Sequence, residues 1–146
     1  MMTRPMLVPE PDRVPSQPVD SGQDALARAI WAHGRDRGVR AMEALAAMAV
    51  NARHRTPGRS LALVVRDPTL FPAWGPDDPR HGPMLAVDGC DLSFAAAHRI
   101  ARRAIGGLDL IVAGANRFLD EADPIPAWAV GLTPVAMLAG LSFYRV

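Results

Sequence analysis

Leu26, Ala29, Ile30, His33 and Arg37 recur at helical spacing, the signature of one face of a 3.6-residue period. Asp24, behind Ser21-Gly22-Gln23, stands where an N-cap belongs. The pattern predicts a first helix over Asp24–Asp36, ended by Gly38. A second helix, Val39–Ala52, follows at once. It is apolar on almost every side, through Met42, Ala44, Leu45, Ala46, Ala47, Met48, Ala49 and Val50. A helix without a polar face belongs at the buried centre of its domain.

Arg53–Arg59 is a polar exit loop, and Ser60–Arg66 fits either a short strand or a helical turn. Asp67–Pro83 carries five prolines and two glycines, which predicts a long loop without regular structure. Such loops in small domains tend to carry function. Asp91 or Ser93 caps a third helix, Phe94–Ile105, stopped by Gly106-Gly107. Leu110–Phe118 reads as extended and Asp120–Pro126 as a turn. Thr133–Met137 reads as a helical turn with Pro134 at its first position, and Leu141–Val146 as a terminal strand. Helices one and three should pack on helix two, beside a small antiparallel sheet built from Gly114–Phe118 and Leu141–Arg145. The expected class is α+β, mainly helical.

The 146 residues suffice for one domain. Residues 1–20 hold Pro5, Pro9, Pro11, Pro15 and Pro18 among acidic side chains, with no apolar core of a signal peptide. They read as a flexible, extended leader, with the folded domain over 21–146. No segment is long and apolar enough to span a membrane. The formal net charge is +1, from 16 cations, all Arg, and 15 anions. That balance argues against a nucleic-acid binder. The single cysteine, Cys90, excludes an internal disulfide, and the scattered His33, His54, His81 and His98 suggest no metal site.

Two side chains stand out against packing roles. His33 shares the apolar face of helix one, and Glu43 is the one charge inside helix two. His33 fits a core histidine bonded to the backbone as well as a functional group. Glu43 fits an ion pair, with Arg28 or Arg35 as the nearest candidates, as well as an acid of raised pKa. Trp31 fits the core; Trp74 and Trp128, each beside prolines, fit either packing or a sugar-stacking surface.

Six blocks in order carry a family resemblance. They are Ala29-Ile-Trp-Ala-His-Gly-Arg35 with Ala44–Asn51, then Phe71-Pro-Ala-Trp74, Ala95–Gly107, Gly114-Ala-Asn-Arg-Phe118, Pro126-Ala-Trp-Ala129 and Phe143-Tyr-Arg145. In these blocks the chain resembles the cell-wall hydrolases of the spore-cortex-lytic enzyme type, over about residues 24–146. The resemblance implies a lysozyme-like fold of three or more helices with a small antiparallel sheet. It also implies cleavage of peptidoglycan glycan strands by lytic transglycosylation, without a cofactor. Arg35, Phe71, Trp74, Asn116, Arg117 and Trp128 become candidate substrate-binding residues. With no signal peptide visible, such a protein is expected to be made in the cytoplasm and to reach the wall by another route.

The chain departs from that family at its most important position. Where the family carries its catalytic Glu, this chain has His33; where the strand usually has Thr, it has Asn116. Breaking a glycosidic bond needs a proton on the leaving oxygen, supplied by a carboxylic acid whose pKa is raised toward ~6. An imidazolium can donate a proton, but it is a cation facing a developing oxocarbenium ion. His33 and, in reserve, Glu43 are therefore the catalytic candidates of one reading, a peptidoglycan hydrolase. The other reading is an inactive relative that binds peptidoglycan or a wall-remodelling partner.

Overall fold

The structure, a computed structural model, describes residues 22–146 apart from Leu108 and Leu110, with the backbone of the first helix followed back to Pro9. Residues 1–8 of the expected leader lie outside the described residues; from Pro9 on the backbone belongs to α1, so Asp24 lies within the helix and does not cap it. Among the described residues five α-helices and a small three-stranded antiparallel sheet make an α+β fold, mainly helical. The helices are α1 (Pro9–Gly34), α2 (Val39–His54), α3 (Leu61–Val65), α4 (His81–Ala86) and α5 (Leu92–Ile105). The strands are β1 (Arg117–Asp120), β2 (Ala136–Leu138) and β3 (Leu141–Tyr144), with β3 in the middle. None of the described helices is long and apolar enough to cross a membrane.

α2 is the central element, as its composition predicts. Nine of its side chains are buried, among them Leu45, Ala46, Met48 and Ala49, and α1, α3, α5 and β1 all pack on it. The alanines let these neighbours approach closely. Where α1 meets α2, a Cβ on Gly34 would lie 2.8 Å from Met42 Cγ and 3.3 Å from the Met42 backbone nitrogen, so the crossing needs a glycine. α2 nevertheless has one open stripe. Arg40, Glu43, Ala47, Asn51 and His54 line a groove of about 660 Å3 shared with Ile100, Arg103 and Ala104 of α5.

α1 also packs against α5. Trp31 joins them: its indole Nε1 donates to Asp91 Oδ1 at 3.2 Å, and the same oxygen caps α5 by accepting from Phe94 N at 2.9 Å. Of the two caps the sequence offered, Asp91 is the one used. Trp31 is a core residue, as expected.

Three further expectations need correction, and one segment left open is resolved. The Pro-rich stretch is not without regular structure. It holds a 3-10 turn at Pro72–Trp74, and α4 begins inside it at His81. Proline is tolerated at the start of a helix because the missing N–H has no helical partner there. Ser60–Arg66 resolves to a helix, α3, because Ser60 Oγ accepts from Leu63 N at 3.2 Å. Thr133–Met137 is not helical; Ala136–Leu138 is instead strand β2. The turn Ala139–Gly140 folds β2 back on β3, with φ of 51° and 80°. Two consecutive positive φ values match the right-handed twist of a two-residue hairpin. The extended run expected over Leu110–Phe118 reduces to its last residues, in β1.

Candidate functional site

The last turn of α1 aims His33 into the space between the Pro72–Trp74 turn and β1. The side chain is 4 % exposed. Its ring lies 5.8 Å from that of Phe71 and edge-on to Phe118 at 5.2 Å. Ala73 N–H donates to His33 Nε2 at 3.2 Å, and Arg80 Nη1 lies 3.0 Å from Nδ1. Burial, then the Arg80 charge, push the imidazole down to about 3. His33 is therefore neutral near pH 7, with no proton to donate as an imidazolium.

An ionic layer covers it. Asp78 grips Arg80 twice, Nε to Oδ1 and Nη2 to Oδ2, both at 2.8 Å, and Asp123 approaches Nη2 at 3.4 Å. The Arg80 hydrogen bonds hold the Asp78 carboxyl at about 2, and the pairing raises the guanidinium pKa in turn. Beside this layer, Arg37 reaches from the α1–α2 junction to Asp120 Oδ1 at 2.5 Å and to the Ala139 carbonyl at 2.6 Å. Asp120 is buried at the end of β1 and also accepts from Ala122 N.

The other candidate residues fall into separate groups. Phe71 is fully buried and belongs to the core beneath His33. Trp74 is half-buried, edge-on to His81, with its Nε1 enclosed and without a hydrogen-bond partner. Asn116 and Arg117 line a smaller depression on another side. There Asn116 holds the chain end, accepting from Val146 N at 2.8 Å. Arg117 lies over the Trp128 ring at 5.3 Å, and Tyr144 meets that ring edge-on. Arg35 stacks on Trp31 at 3.9 Å.

Glu43 sits in the α2–α5 groove, away from this cluster. Its side chain is 29 % exposed. Its partners are Arg40 and Arg103, both at 3.5 Å, not Arg28 or Arg35. Arg28 is occupied elsewhere, bonded to Asp24 and to the carbonyls of Met84, Leu85 and Val87.

Sequence reasoning missed Asp78, Arg80, Asp120 and Asp123. The Asp78-Pro-Arg80 triplet in the Pro-rich loop was the available signal, since a short acid–base spacing in a turn favours a forked pair. It also missed Asp109. That carboxylate accepts from Ile111, Val112 and Gly114 N–H and from Asn51 Nδ2, and so pins the loop before β1 to α2. Burial works against its charge, but these hydrogen bonds keep its pKa below the ordinary value. Among the described residues no cluster of His, Cys, Asp and Glu is arranged to hold a metal ion.

Compared with family models, with curated proteins and with solved structures, the chain matches none.

Proposed function

We propose that the chain is a lysozyme-like relative of the cell-wall hydrolases that has lost glycosidic cleavage and works by binding peptidoglycan. The carrying observation is the state of His33, which is buried, neutral and flanked by a donor at each ring nitrogen. A general acid must carry a proton at working pH and reach the leaving oxygen; His33 does neither. Glu43 lies in a different groove between two arginines.

The family part of the reading is supported by convergence. Blocks far apart in sequence meet around residue 33. The α1 motif ends there, Phe71 and Ala73 touch it from the second block, and Phe118 touches it from the strand block. Phe118 is paired in register with Phe143 of the last block. Asn51, at the end of the α2 block, bonds to the Ala115 carbonyl of the strand block at 2.9 Å.

Incubation with purified peptidoglycan tests the reading directly. Co-sedimentation with the insoluble wall and no soluble product is the expected result. Release of anhydro-muropeptides by the wild type, abolished by His33→Ala, would overturn the loss of catalysis. Absence of both binding and cleavage would overturn the wall assignment.

A further inference from the structure

Residues 75–80 run as a strap over His33, between the Pro72–Trp74 turn and α4. The strap is closed from within. Asp78 N–H donates to the Gly75 carbonyl, Arg80 N–H donates to Asp78 Oδ1, and the Asp78 carboxylate holds the Arg80 side chain by two bonds of 2.8 Å. It therefore moves as one body. None of its residues is buried, so little apolar contact holds it down. Two contacts from Arg80 tie it to what lies beneath: Nη1 to His33 Nδ1 at 3.0 Å and Nη2 to Asp123 Oδ2 at 3.4 Å. The tie to His33 is mismatched. Ala73 N–H donates to the other ring nitrogen, and a neutral imidazole accepts at one nitrogen alone. At the strap's start, Trp74 Nε1 is enclosed without an acceptor. Two enclosed donors that lack an acceptor at one loop store strain there.

Protonation of His33 deepens the mismatch. An imidazolium carries N–H on both nitrogens and accepts at neither, so it opposes Ala73 N–H and Arg80 alike and sets its charge against the guanidinium. Ala73 is fully buried and cannot withdraw, whereas Arg80 sits on the strap and can. The charged groups that face His33 are Arg80 and Asp78 from the strap and Asp120 from β1. Asp78 is committed to Arg80, and Asp120 to Arg37 and the Ala122 N–H, so neither carboxylate is open to receive the imidazolium. We propose that residues 75–80 form a lid over His33 that acid releases, the Asp78–Arg80 pair swinging out as one unit and giving up its contacts to His33 and Asp123. Asp78, held at about 2, stays ionised during the release and keeps the pair together. His33 takes up its proton at about 3 when covered and near 6.5 when uncovered. Each pH unit of acidification between these values therefore favours the open lid by up to about tenfold. The lid does not depend on the wall-binding reading.

The test is hydroxyl-radical labelling of the full chain from pH 7 to pH 3, read residue by residue by mass spectrometry. Phe71 and Phe118, both buried against His33, report what the lid uncovers, and Phe94, buried on α5, reports global unfolding. Labelling scales with the open fraction, so the lid registers even where its open form is rare. Labelling of Phe71 and Phe118 should rise by up to about tenfold per pH unit below about 6.5, ahead of Phe94, and should fall back on return to pH 7. The acid rise should be absent in His33→Gln, which has no proton to gain. Asp123→Asn weakens one tie of the strap and should raise labelling of both residues about threefold at each pH, the worth of one partly exposed ion pair; it serves equally where His33→Gln fails to fold. The proposal is overturned if Phe71 and Phe118 are labelled only together with Phe94, if the acid rise persists in a folded His33→Gln, or if Asp123→Asn leaves labelling unchanged.

Discussion

Arg80 Nη1 lies 3.0 Å from Nδ1 of His33, on the opposite side of the ring from the Ala73 N–H that donates to Nε2 at 3.2 Å. Both neighbours are donors, and a guanidinium has nothing with which to accept. A neutral imidazole can accept at only one nitrogen, so the other contact sets N–H against N–H. Position 33 therefore lies in a cradle that a carboxylate, with two accepting oxygens, would satisfy more fully. The family resemblance has its Glu at this place.

His33 makes stability depend on pH. Its folded pKa is about 3, against about 6.5 in the unfolded chain. Between these values the unfolded chain binds the extra proton, so stability falls as pH drops from about 6.5 toward 3, and is fully present above 6.5. The slope is at most about 1.4 kcal/mol per pH unit. Denaturant midpoints measured from pH 7 to pH 4 should fall for the wild type, and the slope should flatten in His33→Gln.

His33→Glu should fold and should match or exceed the wild-type melting temperature at pH 7, because both donors then gain an acceptor. Burial and the neighbouring Asp78 and Asp120 would raise the new carboxyl's pKa, while Arg80 and the Ala73 N–H would lower it. Peptidoglycan release should nevertheless stay at background, because the Asp78–Arg80 layer keeps residue 33 from the leaving oxygen; only with that layer opened as well could a positioned acid contribute its ~10²–10⁴. A folded variant without release would assign part of the lost catalysis to the Asp78–Arg80 layer over residue 33.

Asp120→Ala should destabilise by about 1–3 kcal/mol. It removes the acceptor that holds Arg37 and the Ala122 N–H at the end of β1. Arg37 keeps its bond to the Ala139 carbonyl, so the loss should stay below that of breaking a fully buried pair. Chemical denaturation of the variant at pH 7 measures it.

Glu43→Gln should change stability by no more than about 1 kcal/mol. Its two ion pairs are long and its partners are mostly exposed, a setting in which pairs contribute little. Wall co-sedimentation should be unchanged. A loss of wall binding in a folded Glu43→Gln would move the binding surface to the α2–α5 groove.

Ala139→Gly should raise stability by about 0.5–1 kcal/mol. Ala139 sits at φ 51°, where a Cβ is strained and glycine is not. The Arg37 contact is to the Ala139 carbonyl and survives the change. A lower melting temperature for the variant would show that glycine's backbone entropy outweighs the relieved strain.

The helical frame was legible in the sequence. Periodicity and the missing polar face placed α2 at the centre, Asp91 and Gly106 bracketed α5, and Leu141–Val146 read as a terminal strand. These are local patterns whose cause lies within a few residues of their effect. The sequence also showed which residue stands at position 33. It could not show that residue's ionisation, because the groups that set it come from other elements. Ala73 and Arg80 lie 40 and 47 residues away, and Phe118 lies on β1. β2 was misread for the same reason: Pro134 favours a helical start locally, but pairing with β3 through the Ala139–Gly140 turn overrides it. Glu43 was misplaced because helical spacing tells which side a residue faces, not what covers that side. Only the docking of α5 beside α2 decided that this stripe would stay open and that Arg103 would be its partner.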